Sequence, residues 1–167
     1  IGASRRASTL NLPRLAALDV VKDIELCPLD VLDPTNVART IEEFAPDEIY
    51  NLGGQSSVQA SFQQPIYTSE VIGLGVLRLL EMVRLVKPDT RIYNASSSEI
   101  FGHVEIPMVT EDTPCQPRSP YGVAKLYAHW AVINYREAYD LFAASGILFN
   151  HESPLRGMDF VTRKITT

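Results

Sequence analysis

Apolar residues along this 167-residue chain fall into short runs that alternate with longer segments of helical period. Ile24 to Leu29 and Glu48 to Leu52 read as strands, the second ended by Gly53-Gly54, and Arg91 to Ala95 and Phe142 to Phe149 read likewise. Between them, Pro34 to Phe44 predicts a helix capped by Asp33, and Thr68 to Val86 a strongly apolar helix. Pro120 to Tyr139 predicts a third, with Ser119 at its N-cap and proline in its first turn. Tyr127, Trp130 and Ile133 continue that helix at core-like spacing and read as packing. Ile1 to Arg6 looks like the tail of a second strand. This rhythm implies an α/β fold, a doubly wound parallel sheet with helices on both faces, in which ligands collect beyond the carboxyl ends of the strands. Asp30, Gly53, Ser97 and Asn150 all fall at or just after predicted strand ends, so one rim can gather them.

Composition narrows the function. With 46% hydrophobic and 21% charged residues the chain can build one core. A formal net charge of −5 argues against a nucleic-acid surface, so phosphate binding has to come from locally placed arginines and backbone N–H groups. The longest apolar stretch, Val71 to Val86, is broken by Arg78, Glu81 and Arg84, which argues against a membrane span. Cys27 and Cys115 lack metal-ligand or redox spacing, so no metal site is expected and a reduced, cytoplasmic compartment fits. No strand is followed by G-x-G-x-x-G. Either this is an internal fragment, with a partial dinucleotide-binding domain over 1–150, incomplete at its N-terminal side, and the start of a substrate-binding region over 151–167, or the protein lacks the loop that normally holds the pyrophosphate.

The candidate chemistry sits in two pieces. Ser97-Ser98-Glu99 follows a strand, and Tyr121-Gly122-Val123-Ala124-Lys125 opens a helix. A Tyr and a Lys four apart on a helix share one face, so an ammonium beside the phenol favours its ionised form. Lowering a phenol from about 10 to about 7 takes roughly 4 kcal/mol, which one cation at about 4 Å supplies at an effective dielectric near 20. Tyr121 then reads as a base, with Ser97 hydrogen-bonding the same substrate oxygen. Glu99 adds a second acid/base group that simple alcohol oxidation does not need.

In that order, these pieces resemble the GDP-mannose 4,6-dehydratases of the extended short-chain dehydrogenase/reductase family. The most specific segments are Glu48-Ile-Tyr-Asn-Leu-Gly-Gly-Gln-Ser56, Arg118-Ser-Pro-Tyr-Gly-Val-Ala-Lys-Leu-Tyr127 and Gly146-Ile-Leu-Phe-Asn-His-Glu-Ser-Pro154, followed by Phe160 to Thr166. The resemblance implies a cycle in which GDP-mannose is oxidised at carbon 4, loses water across carbons 5 and 6, and is reduced at carbon 6. The product is a 4-keto-6-deoxy sugar, and the cofactor is regenerated. Tyr121 becomes the base on the 4-hydroxyl, Lys125 its partner and a ribose contact, Ser97 a donor where the family commonly has Thr, and Glu99 the group acting at carbons 5 and 6. Arg5 and Arg6 match arginines approaching an adenosine 2′-phosphate, which favours NADP, and Asp30 and Val31 match adenine contacts. Leu52, Gly53, Gly54, Gln55 and Ser56, with Tyr67, match the cofactor wall, while His151 and Arg156 match later cofactor contacts. Ser56, Ser97, Asn150, Val161 and Lys164 match substrate-side positions. A homodimer or homotetramer is implied, through a four-helix contact of the two long apolar helices. Leu155 stands where the family commonly has Arg, and Gly54 replaces a common Ala. Two rival readings are a nucleotide-sugar 4-epimerase of the same fold, against which Glu99 speaks, and a catalytically inactive binding module.

Overall fold

The strands pair in parallel throughout. The computed structural model describes residues 1–7, 12–105, 108–158 and 160–166. In it, β1 (Gly2–Ser4) pairs with β2 (Leu26–Pro28), and a second sheet has the order β3 (Glu48–Asn51), β4 (Arg91–Ala95), β5 (Ala143–Gly146). The helices are α1 (Pro13–Ala17), α2 (Pro34–Phe44), α3 (Val58–Gln63), α4 (Pro65–Thr68), α5 (Gly75–Val86), α6 (Pro120–Tyr139) and α7 (Val161–Thr166). One π turn, Ser69–Leu74, joins α4 to α5, so the expected helix over Thr68 to Val86 is one rod with a widened turn inside it.

The caps act as the sequence requires. The Asp33 carboxylate accepts from the backbone N–H groups of Thr35 and Asn36, and the Ser119 hydroxyl from that of Gly122 at 3.0 Å, each followed by proline at the first helical position. At their far ends, Ala45 and Asp140 adopt left-handed backbone conformations that close α2 and α6. Two predicted strands are shorter than their apolar runs. β2 covers three residues and β5 four, although Ile92 N–H still donates to the Phe142 carbonyl and Ser98 N–H to that of Leu148.

Register explains the core. Ile49, Ile92 and Ala143 lie side by side across the three strands and face Val37 and Ile41 of α2, Leu79, Leu80 and Val83 of α5, and Ala128 and Val132 of α6. An ionic clamp ties α5 to α6. Arg84 grips Glu81 through two hydrogen bonds, and the Tyr135 hydroxyl donates to the same carboxylate at 2.8 Å, holding it near a pKa of about 2. The opposite face of this sheet is open, with Tyr50 and Phe142 each 65% exposed. Tyr127 and Trp130 are also exposed, contrary to the packing expected of them, because α6 turns Ala124, Ala128, Val132 and Tyr135 inward instead.

Among the described residues β1 and β2 are both edge strands of the first sheet, and β3 and β5 are the edges of the second. A cavity of about 840 Å³ is lined from both sides, by Gly2 to Arg5 of the first sheet and Glu48 to Gln55 of the second. No helix among the described residues is long and apolar enough to cross a membrane.

Candidate active site and cofactor groove

Because the strands within each sheet run parallel, the turns after β3 and β4 leave from one edge of theirs. β4 delivers Ser97, whose extended backbone lets its hydroxyl accept from Glu99 N–H at 3.2 Å and cap the short 3-10 turn Ser98–Ile100. Glu99 itself is exposed at the rim. The first turn of α6 presses on that turn: a Cβ on Gly122 would sit 2.6 Å from the Glu99 carbonyl oxygen. The close approach brings the buried phenol of Tyr121 into hydrogen-bonding contact with Ser97. Lys125, one turn on, donates to the Ala95 carbonyl at 2.6 Å, and its Nζ lies 5.7 Å from the centre of the Tyr121 ring.

Ser97, Glu99, Tyr121 and Lys125 are thus brought together, but their electrostatics correct the expectation of a lowered phenol. Burial pushes the Tyr121 phenol above its ordinary value, the Ser97 hydrogen bond pulls it partly back, and the Glu99 charge raises it again. Lys125 does not reverse this. One of its three donors goes to the Ala95 carbonyl, and desolvation lowers its own pKa to about 8. Spacing along a helix puts two residues on one face but does not report how dry that face is.

The groove wall beyond β3 is built by residues whose role the sequence did not disclose. Asn51 Nδ2 donates to Asn94 Oδ1 at 2.9 Å on the neighbouring strand, and Gly53 N–H donates back to Asn51 Oδ1 at 3.3 Å. Asn94 is buried, in register with Ser145 on its other side, so a polar row crosses the sheet and sets the Gly53 turn. The register of three strands was the missing signal. Gly54 follows with φ +128°, a conformation that favours glycine over the common alanine. Gln55 then donates to Thr68 Oγ1 at 3.1 Å and accepts from Ser57 N–H at 2.7 Å, pinning the loop to α4 beside Tyr67. Leu52 and Ser56 are exposed on this wall.

Across the cavity, Arg5 and Arg6 leave β1 and share a second hollow of about 430 Å³ with Asp30 and Asn36. Asp30 is shaped for that place: its N–H donates to Asn36 Oδ1 at 2.8 Å and its carboxylate accepts from Leu32 N–H at 3.0 Å, while Val31 packs against Gly75. Neither arginine forms an ion pair among the described residues. The remaining candidates follow β5, whose exit is tied to the catalytic turn by the Ser98 N–H to Leu148 carbonyl bond and the Phe101–Phe149 ring contact. Asn150, His151, Val161 and Lys164 are exposed, with His151 Nδ1 2.8 Å from the Phe149 carbonyl. Arg156 packs over the Phe160 ring and pairs with Glu152. No cluster suited to a metal ion occurs among the described residues.

The chain is similar to known proteins in both sequence and fold. The sequence model of one family, described as GDP-mannose 4,6 dehydratase, matches residues 1–167. A GDP-mannose 4,6-dehydratase from Vibrio cholerae is 48% identical over 172 residues, covering 99% of this chain and 46% of that one. The chain spans about half the length of the curated relatives it matches. Among solved structures, a dTDP-glucose 4,6-dehydratase from Streptomyces venezuelae with NAD bound superposes with a TM-score of 0.86 at 21% identity, over 97% of this chain and 49% of that one. RMD from Pseudomonas aeruginosa, complexed with NADPH, superposes with a TM-score of 0.75 at 25% identity, over 87% and 53%.

Proposed function

The chain belongs to the GDP-mannose 4,6-dehydratase family, and from that premise we propose that its protein converts GDP-mannose to GDP-4-keto-6-deoxymannose with NADP. The observation that carries this is the meeting of Ser97, Tyr121 and Lys125 with Glu99 on one rim. A 4-epimerase has use for the first three alone.

The residues present fit the two ends of the dinucleotide. Arg5 and Arg6, without an ion pair among the described residues, offer charge-assisted donors to a 2′-phosphate beside the Asp30 hollow, the Gly53-Gly54 turn allows close backbone approach along the wall, and Lys125 stands where a ribose hydroxyl would reach it. When bound, NADP supplies oxidation at carbon 4 and reduction at carbon 6. Tyr121 takes the proton of the 4-hydroxyl while the Ser97 hydroxyl donates to the same oxygen, and the ketone so formed acidifies the hydrogen on carbon 5. Glu99, exposed and unencumbered by an ion pair among the described residues, removes that hydrogen and returns a proton to the departing 6-hydroxyl, which leaves as water. Glu99→Gln is expected to lower turnover by about 10²–10⁴-fold with NADP affinity nearly unchanged. Full turnover in that variant removes Glu99 from the mechanism and reopens the epimerase reading.

A second copy of the chain is the proposed partner. α6 exposes Val123, Tyr127 and Trp130 at intervals of four and three residues, one stripe on the helix, and Phe62 of α3 and Ile66 of α4 are exposed beside it. Sedimentation is expected to give a dimer or tetramer at micromolar concentration, and Trp130→Asp to shift it toward monomer. A wild-type monomer at that concentration contradicts the proposal. The same reading puts the protein in the cytoplasm, where nucleotide sugars and reduced cysteines coexist; Cys27 and Cys115 are both free.

A further inference from the structure

Arg5 and Tyr67 come from opposite walls of the groove. Arg5 follows β1, whereas Tyr67 lies in α4, which is anchored to the β3 exit loop by the Gln55 to Thr68 hydrogen bond. Both line the 840 Å³ cavity, and the Arg5 guanidinium carbon stands 5.8 Å from the centre of the Tyr67 ring. Arg5 also lines the smaller hollow with Arg6 and Asp30, so its side chain forms the boundary between the two.

What holds a guanidinium decides what it can still bind. A carboxylate partner would neutralise the charge and occupy two of its five N–H donors. An aromatic face orients the plane by attraction to the ring quadrupole and leaves every donor free along the edge. Arg5 is held in the second way, with no carboxylate on it among the described residues. Tyr67 is half-buried and fixed by its helix, so it can steer a side chain that is otherwise exposed.

We propose that Tyr67 is a positioning residue for cofactor choice: through the cation–π contact of its ring with Arg5 it aims an unneutralised guanidinium at the 2′-phosphate that distinguishes NADP from NAD. This rests on the reading of Arg5 as a 2′-phosphate contact, and it gives Tyr67 a role exerted through Arg5 and separate from any contact with the part common to both cofactors. A guanidinium steered by a ring before binding loses less freedom on meeting the 2′-phosphate than a free one, a gain that only the cofactor carrying that phosphate receives.

The test is fluorescence titration with NADPH and NADH of the protein as its gene encodes it, with circular dichroism as the check on folding. Tyr67→Leu, which keeps apolar volume and removes the ring, is expected to reduce the NADPH:NADH affinity ratio about two- to fivefold. Tyr67→Phe, which keeps the ring face, is expected to hold the ratio near wild type. In an Arg5→Ala background, Tyr67→Leu is expected to leave the ratio unchanged. Equal weakening of both cofactors by Tyr67→Leu overturns the proposal, as does a lowered ratio that persists without Arg5. A wild-type protein with no preference for NADPH overturns the proposal and the 2′-phosphate reading together, whereas a preference left undiminished by Tyr67→Leu overturns the proposal alone.

Discussion

Ser97, Tyr121 and Lys125 are held by the three-stranded half of the molecule, where α2, α5 and α6 cover one sheet face with a continuous apolar cluster. Arg5 and Arg6 stand at the end of a two-stranded ladder of three residues each, exposed and joined to nothing by ion pairs among the described residues. The two halves carry different parts of the same task. Proton transfer needs heavy atoms fixed within fractions of an ångström, which packing supplies, whereas a phosphate dianion is attracted over distance and tolerates a looser mount. Burial has a cost on the rigid side: it raises the phenol that has to act as a base and drains charge from the lysine beside it.

The largest effect that separates the halves is on stability. Leu80 of α5 is fully buried in the main cluster, so Leu80→Ala is expected to cost about 2–5 kcal/mol by denaturant titration. Tyr50, on the open face of the same sheet, is expected to cost within about 0.5 kcal/mol as Tyr50→Ala. Comparable losses at both positions would show that the open face is covered in solution, and the contrast between a packed half and an exposed one would fail.

Next in size is cofactor binding on the looser side. Charge-assisted hydrogen bonds are worth roughly 1.5–3 kcal/mol each, so replacing Arg5 or Arg6 with Ala is expected to weaken NADPH about 10- to 100-fold and NADH much less. Thermal stability is expected to change little, because neither side chain is packed in the core. Equal loss for both cofactors would make the arginines general anion attractors without a preference for the 2′-phosphate.

The sequence disclosed the rigid half more fully than the loose one, for physical reasons. Asp33-Pro34 and Ser119-Pro120 are local signals, and α2 and α6 begin where they stand and run to the residues their periodicity predicts. Arg91–Ala95 was likewise legible, as a short apolar run paired on both sides. α1, α3 and α7 went unread because five or six residues carry too little period to recognise. Ser97, Tyr121 and Lys125 were legible as residues, since spacing places them. Asn94 and the Arg5–Tyr67 contact were not, since each depends on partners brought together only by the parallel register or across the groove.

The smallest expected effect probes the cost of burial directly. Tyrosinate with ammonium and phenol with neutral amine contain the same number of protons, so their ratio does not change with pH. What pH changes is the population that has lost one proton from the pair. Lys125, lowered by desolvation to about 8, is the first of the two to titrate, because Tyr121 is raised above its ordinary value. Activity is therefore expected to rise with pH through a midpoint near about 8 and then level, a gain of about tenfold from pH 7 to the plateau in kcat/KM. Lys125→Met removes the group that gives up the first proton, and the limb is expected to move upward toward the raised phenol value. Cofactor affinity measured alongside separates this shift from the loss of a ribose contact, which lowers the whole profile without moving it. A flat profile between pH 6.5 and 9 in the wild type, or a limb that stays near 8 in the variant, would mean that the burial seen at Lys125 and Tyr121 does not govern the proton the reaction uses.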